Sequence, residues 1–404
     1  MANFINKLVQ HKYAMIILWC SVILIVFAKH NFLSHIHNNY YIFKYTYYHA
    51  IEGHTLYGRS PSEYGDKNHY GPLFSLLFAP FALLPDLLGH FLWITLNVLL
   101  LLWAIYRLTL SRIQKNIILL ICLNELLTAG FNLQFNISIA AIILFTYTLI
   151  DREKEWRAPF PMLVGTFVKL YGIVCLAFFF FVKNKWKFIL ACLVWSALLF
   201  ILPVILSSPE YVIRSYQEWY QALVIKNSEN VSLASYQDVS LMGSVRRVFH
   251  NPAIPNFPFI LGGLILFALP YLRFSQFKYK AFQLMMVAST SIFAVIFSSS
   301  SEGSTYIIAF VGIATWFVIQ PKPVSTIHII LLAIAIVLGS FSTTDIYPQF
   351  LRDHFFRAYS IKALACSLVW FKVVFEMLTK DFSNYDVPSV LNPSLGSHEK
   401  TQRA

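Results

Sequence analysis

The chain has 404 residues, 57% of them hydrophobic and 12% charged, with a formal net charge of +12. Soluble domains carry about 25% charged residues, so the composition excludes an ordinary soluble enzyme. The positive charge is not a nucleic-acid signal: Lys and Arg fall mostly in short loops, as the positive-inside rule expects, and no nucleic acid is expected as a partner.

Apolar runs near 20 residues cross a bilayer as helices. Only helices or closed barrels satisfy their backbone there, and long runs without two-residue alternation exclude the barrel. The expected fold is all-α, a polytopic helical membrane protein of about 10–12 transmembrane helices. One integral membrane domain is expected over 1–379, with structured outer loops at 29–72, 207–256 and 342–358 and a polar, disordered cytoplasmic tail at 380–404.

The first span, Tyr13–Ala28, follows Lys7 and Lys12 and lacks a small-residue cleavage site, so it reads as a retained helix. Residues 29–72 are then crowded with polar, aromatic and turn-forming groups, which a plain membrane spacer does not need. Residues 72–84, interrupted by Pro80, read as a short or re-entrant piece, and 87–106 as a full span. Spans near 117–130 and 133–150 form a hairpin whose outer turn includes Asn132, Gln134 and Asn136.

Basic turns at Arg107–Lys115, Arg152–Arg157, Lys183–Lys187, Arg273–Lys280 and Lys322 are placed in the cytoplasm with both termini. Residues 162–182 have basic loops at both ends, so a single crossing would violate the parity. Two short half-helices broken at Lys169–Leu170–Tyr171–Gly172 satisfy it. Non-helical backbone at membrane depth is tolerated where it lines a cavity, so the break points to a site. The second half reads as spans near 188–206, 257–272, 281–298, 304–319, 326–341 and 359–379. This topology gathers the 29–72 loop, the Gln134 turn, Lys169, the 207–256 loop, Glu302 and the Asp345–Arg352–His354 segment on one side.

Ionisable residues near the membrane are costly and often functional. Lys169 is either a snorkelling cation or a cation for a phosphate group. Glu302, in Ser298-Ser-Ser-Ser-Glu-Gly-Ser-Thr-Tyr306, is either a helix N-terminal acid or a site residue, and Glu125 is equally open. The histidines around His35 and His37 form only a weak metal pattern, so no metal is expected. The five cysteines lie in apolar runs and read as packing thiols. P-loop, dinucleotide-binding, HExxH and GxSxG patterns are absent, and no cofactor is expected.

The run Asn39-Tyr-Tyr-Ile-Phe-Lys-Tyr-Thr-Tyr-Tyr-His-Ala-Ile-Glu-Gly53-His-Thr-Leu-Tyr57, then Tyr70-Gly-Pro72, Pro80, Leu84-Pro85 and Trp93…Asn97, resembles the polyprenol-phosphate-sugar-dependent glycosyltransferases of family 87 (formerly DUF2029), which have the GT-C membrane fold. Gln134-x-Asn136 resembles that family's G-Q-x-N turn, Gly165…Lys169 its G-x-x-x-x-x-K element, and Glu302-Gly-Ser-Thr-Tyr306 an E-S-P-T-Y variant. The likeness runs over roughly residues 10–375.

The resemblance implies an inverting transfer of a mannose-like hexose from a polyprenyl-phosphate donor to an envelope lipid or glycan acceptor, in a bacterial inner membrane. It implies a carboxylate base, cations for the departing phosphate, and a substrate site drawn from Lys44, Tyr57, Tyr70, Gln134, Asn136, Lys169, Arg214 and Tyr306. Where the family usually carries its catalytic Asp, at the start of the first outer loop, this chain has Asn38 and Asn39, which would then contact substrate. Neutral Asn is no base. Three readings stay open: the base is Asp66, Glu52, Glu302 or His37; the chain belongs to a branch with a different catalytic arrangement; or it is an inactive binding or scaffold relative. A lipid or solute transporter is the alternative from another class.

Overall fold

The computed structural model describes residues 7–34, 38–233 and 237–385. These residues are helical with no strand among them. Five helices are long and apolar enough to cross a membrane, and six shorter apolar helices of 10–17 residues accompany them. The protein is an all-α polytopic membrane protein.

The first helix, α1 (Ala14–Ala28), is apolar on every face. Met15 and Trp19 point inwards and are fully buried, whereas Ile17 and Leu24 remain exposed, as a lipid-facing side allows. The stretch after it is less of a loop than its composition suggests. Asn38–Glu52 forms a helix, α2, whose Phe43 packs edge-on against Tyr70, Phe74 and Phe78. Pro72 then starts a short helix, α3 (Leu73–Ala82), and Pro85 starts the long α4 (Asp86–Arg107). Proline suits a helix start, where its missing N–H has no intrahelical partner.

Chain direction follows from the ends. Helix α5 (Arg112–Phe131) opens on a reciprocal Ser111–Gln114 capping box, and α6 (Asn136–Asp151) returns. The basic turns meet one another: Arg152 donates to the Arg107 carbonyl at 3.2 Å, Lys183 pairs with Glu153 at 3.0 Å, and Lys280 pairs with Asp151. They therefore share one end of the bundle, and the α5–α6 turn lies at the other.

Helix α7 (Pro159–Lys169) stops at Leu170, whose φ of 26° is strained for a branched residue. The chain doubles back as a tight 3-10 segment, Tyr171–Phe181. The halves lie so close that a Cβ on Gly172 would sit 2.2 Å from the Met162 carbonyl oxygen. This is the break that the loop charges demand. A Cβ on Gly71 would likewise lie 2.0 Å from the Phe167 carbonyl oxygen, and the Gly71 N–H donates to Val168 O at 2.9 Å. The loop before α3 is thus docked on the break.

After α8 (Lys185–Ile201), the segment expected as a loop over 207–256 is largely helical. It holds α9 (Pro209–Asn230), opened by a Ser208 cap to Tyr211 N at 3.2 Å, and α10 (Leu241–Val248). Hydropathy under-reads α9 because Arg, Glu and Gln alternate with Tyr, Trp and Val without a long apolar run. The remaining helices are α11 (Phe257–Ala268), α12 (Lys280–Ile296), α13 (Tyr306–Val318), α14 (Thr326–Ile334) and α15 (Ile361–Thr379). Helices α12 and α13 form the buried centre. At the start of the expected disordered tail, Phe382 is instead buried and its N–H donates to Gln276 Oε1 at 2.9 Å. Residues 386–404 of that tail lie outside the described residues. All five cysteines are free.

Candidate functional site

Four residues from three parts of the chain form one hydrogen-bonded row at the end of the bundle opposite the basic turns. Lys169 Nζ, at the α7 break, donates to Asn136 Oδ1 at 2.6 Å. Asn136 Nδ2 donates to Gln134 Oε1 at 2.9 Å, and Gln134 Nε2 donates to Glu302 Oε2 at 3.0 Å. An ammonium only donates and a carboxylate only accepts. The two ends therefore fix the orientation of both amides, and neither can flip without losing two bonds. Ser304 Oγ adds a bond to Gln134 Oε1 at 3.3 Å.

Glu302 forms part of the wall of two cavities. The smaller, about 190 Å³, is lined by Tyr70, Lys169, Tyr171, Trp219 and Lys226 as well as Glu302. Lys169 lies over the rings of Tyr70 and Tyr171, 5.6 and 5.5 Å from their centroids. The larger, about 750 Å³, is lined by Asn132, Gln237, Asp345, Arg357 and Lys362 on the far side of Glu302.

The turn that carries Glu302 is held firmly. Its carboxylate and the Thr305 side chain cap each other's backbone N–H groups. Val239 N–H donates to Ser301 O at 2.8 Å, and the Tyr306 hydroxyl donates to Val239 O at 2.7 Å. Val239 is in turn fixed by its neighbour Asp238, whose carboxylate receives Arg246 Nη1 at 2.6 Å with both side chains 2% exposed. Arg247 Nη1 donates to the Asp238 carbonyl at 2.6 Å.

Residues 68–299, more than half of the chain, match the family model for glycosyltransferase family 87. The chain belongs to glycosyltransferase family 87. No curated protein gives a significant sequence match. As a family 87 protein it is a membrane glycosyltransferase with a sugar donor and an acceptor. The matched segment contains Gln134, Asn136 and Lys169, ends just before Glu302, and begins after Asn38 and Asn39.

The other candidates stand apart from this row. Asp66 is exposed and accepts from the Lys67 N–H of its own turn at 2.8 Å. Glu52 is exposed and pairs with His54 at 3.3 Å. Arg214 is exposed, donating to Gly53 O at 3.2 Å. Lys44 pairs with Asp86. Asn38 Oδ1 accepts from Gly65 N at 2.6 Å, and Asn39 Nδ2 donates to Asn132 O at 2.7 Å, so both amides tie loops together. The Tyr57 hydroxyl donates to Tyr70 O at 3.0 Å and its residue lines a separate cleft beside α9. Tyr306 is buried beneath the Glu302 turn. His37 lies outside the described residues. Among the described residues, no three His, Cys, Asp or Glu side chains gather as a metal-holding group.

Sequence reasoning missed Lys226 and Trp219, which line the smaller cavity together with Tyr171, from the expected break, and His69, from the polar 29–72 segment. The first two ride on α9, so only a helical reading of 209–230 brings them inwards.

His69 lines that cavity with its Nδ1 buried and unpartnered. Burial, reinforced by the Lys226 charge, lowers its pKa from 6.5 to about 4. The unfolded chain therefore takes up a proton near pH 6.5 that the folded chain refuses until about pH 4, so stability falls as pH drops through that window. The ceiling is about 3 kcal/mol, reduced by partial exposure. Thermal unfolding in detergent between pH 7 and pH 4 is expected to show this acid slope, and His69→Gln to flatten it. An unchanged slope in His69→Gln would assign it elsewhere.

Proposed function

We infer that this family 87 protein moves a mannose-like hexose from a polyprenyl-phosphate donor to a hydroxyl of an envelope lipid or glycan at the outer leaflet, with inversion. The observation that carries this reading is the single row Lys169–Asn136–Gln134–Glu302, whose Glu302 end lies in the walls of two cavities. A transferase must hold a leaving phosphate beside a cation and an acceptor hydroxyl beside a base, a fixed distance apart. The row supplies a cation at one end and a carboxylate at the other.

In this assignment the donor phosphate lies against Lys169 and Lys226 in the smaller cavity, and the acceptor occupies the larger one. The acceptor oxygen attacks the anomeric carbon as Glu302 accepts its proton. The bond from that carbon to the phosphate oxygen breaks, and the electron pair leaves with the lipid phosphate. Lys169 and Lys226 neutralise the charge that develops there. Both amides of the row are spent on holding geometry, so the row orients the two charged groups and carries no proton between them. No cofactor takes part, and Asn38 and Asn39 serve as loop ties.

Sugar transfer in proteoliposomes supplied with radiolabelled polyprenyl-phosphate sugars and an envelope lipid extract tests this. Lys169→Ala is expected to lower kcat by roughly 10²–10³-fold, the usual loss for one preorganised charge-stabilising donor. Asp66→Asn and Glu52→Gln are expected to transfer at the parent rate. A Lys169→Ala variant as active as the parent, or a parent protein inert with every donor, would overturn the assignment.

A further inference from the structure

Behind the Glu302 turn lies a charged pair for which the transfer scheme has no role. Lys362, near the start of α15, is 3% exposed at its side chain and Glu125, on α5, is fully buried. Lys362 Nζ donates to both carboxylate oxygens of Glu125, at 2.8 and 2.9 Å. The same ammonium donates to the Gly303 carbonyl at 3.3 Å and lies 5.0 Å from the centroid of the Tyr306 ring. It also lines the larger cavity, whereas Glu125 does not.

A buried ion pair is poor evidence for stability alone. Desolvation consumes most of its Coulomb energy, and an apolar pair of similar volume is often as good. Here the cation is attached to the residue next to Glu302 and shares its cavity, while the balancing carboxylate is set one layer further back.

We propose that Lys362 is a positioning residue for the transfer reaction, with Glu125 as its counter-charge: it anchors the Gly303 carbonyl and so holds the neighbouring Glu302 carboxylate beside the acceptor. This rests on the reading of Glu302 as the base. The charged and titratable groups around Lys362 are Glu125 from α5, Tyr306 from α13 and Cys366 from its own helix, with Glu302 and Lys29 lining the same cavity. Asp345 and Arg357 line the same cavity but are engaged elsewhere, with Arg352 and Asp353.

The double variant Lys362→Met with Glu125→Met removes both charges without stranding either, and it frees the Gly303 carbonyl. It is expected to fold like the parent and to lower kcat by roughly 10–10²-fold, the loss that a displaced reacting group brings, with the donor KM unchanged. Lys362→Arg keeps a cation for both Glu125 and Gly303 and is expected to keep kcat within about threefold of the parent. The measurement is sugar transfer in proteoliposomes, with kcat and donor KM taken separately, and thermal unfolding in detergent, for both variants and the parent, with Glu302→Gln alongside. A kcat loss in the folded double variant that Lys362→Arg does not share supports the proposal. Parent kcat in the double variant, or a loss that only follows lost stability, makes the pair merely structural and overturns it. If Glu302→Gln transfers at the parent rate, the failure belongs to the base assignment instead.

Discussion

Glu302→Gln is expected to abolish measurable sugar transfer while leaving the fold intact. Gln is nearly isosteric, and its one amide oxygen can still accept from Gln134 Nε2 or from the Thr305 N–H. It cannot accept the acceptor's proton. Losing a general base costs about 10²–10⁴-fold. The effect should fall on kcat, because the two cavities assigned to donor and acceptor keep their other linings. Single-turnover transfer with saturating donor separates this from lost binding. A variant that retained parent kcat would remove Glu302 from the chemistry and return the search to the remaining acids.

Arg246→Leu is expected to give the largest loss of stability. Its guanidinium donates to Asp238, to the Ile254 carbonyl at 2.9 Å and to Asn256. Removing it leaves a carboxylate that is 2% exposed without its paired guanidinium, though Ser240 Oγ still donates to it, and breaking such a buried pair costs about 3–5 kcal/mol. The Asp238→Asn companion change, which removes the stranded charge, should recover much of that loss. Thermal unfolding of the purified protein in detergent checks both. Because Val239 binds Ser301 and Tyr306, whatever Arg246→Leu protein survives should also transfer poorly. If both variants unfold like the parent, this buried pair contributes little to holding the turn.

The parts of this fold that could be read from sequence are those set by bulk physical rules. Long apolar runs gave the apolar helices, five of them long enough to cross a membrane, and the basic turns at 107–115, 152–157, 183–187 and 273–280 do gather at one end of the bundle. That accounting alone required a break near Leu170, where the chain does reverse at a positive φ. Segments without a long apolar run were harder. Residues 207–256 read as a loop, yet Pro209–Asn230 is a helix whose one face delivers Trp219 and Lys226 to the smaller cavity.

The hydrogen-bonded row was legible to the same extent. Gln134, Asn136, Lys169 and Glu302 were each singled out as polar groups at breaks or turns, where a membrane chain seldom keeps them without cause. Asp66 and Glu52 were chosen for being acids in the right loop, and only coordinates show that one serves its own turn and the other a neighbouring histidine. Lys362 escaped notice because a lysine near a helix end ordinarily reads as snorkelling. Its partner, Glu125, is 237 residues away in sequence, too far for any local pattern to join them.

The wall formed by Glu302 has a consequence for the order of events in turnover. Each cavity has its own lining, and the assigned donor and acceptor do not compete for one seat. Neither substrate has to depart before the other arrives, and no sugar has to be parked on the protein between them. Catalysis on this plan passes through a ternary complex. An empty acceptor seat then carries a hazard, because water beside Glu302 is itself a hydroxyl, and an idle enzyme loaded with donor would waste sugar by hydrolysis.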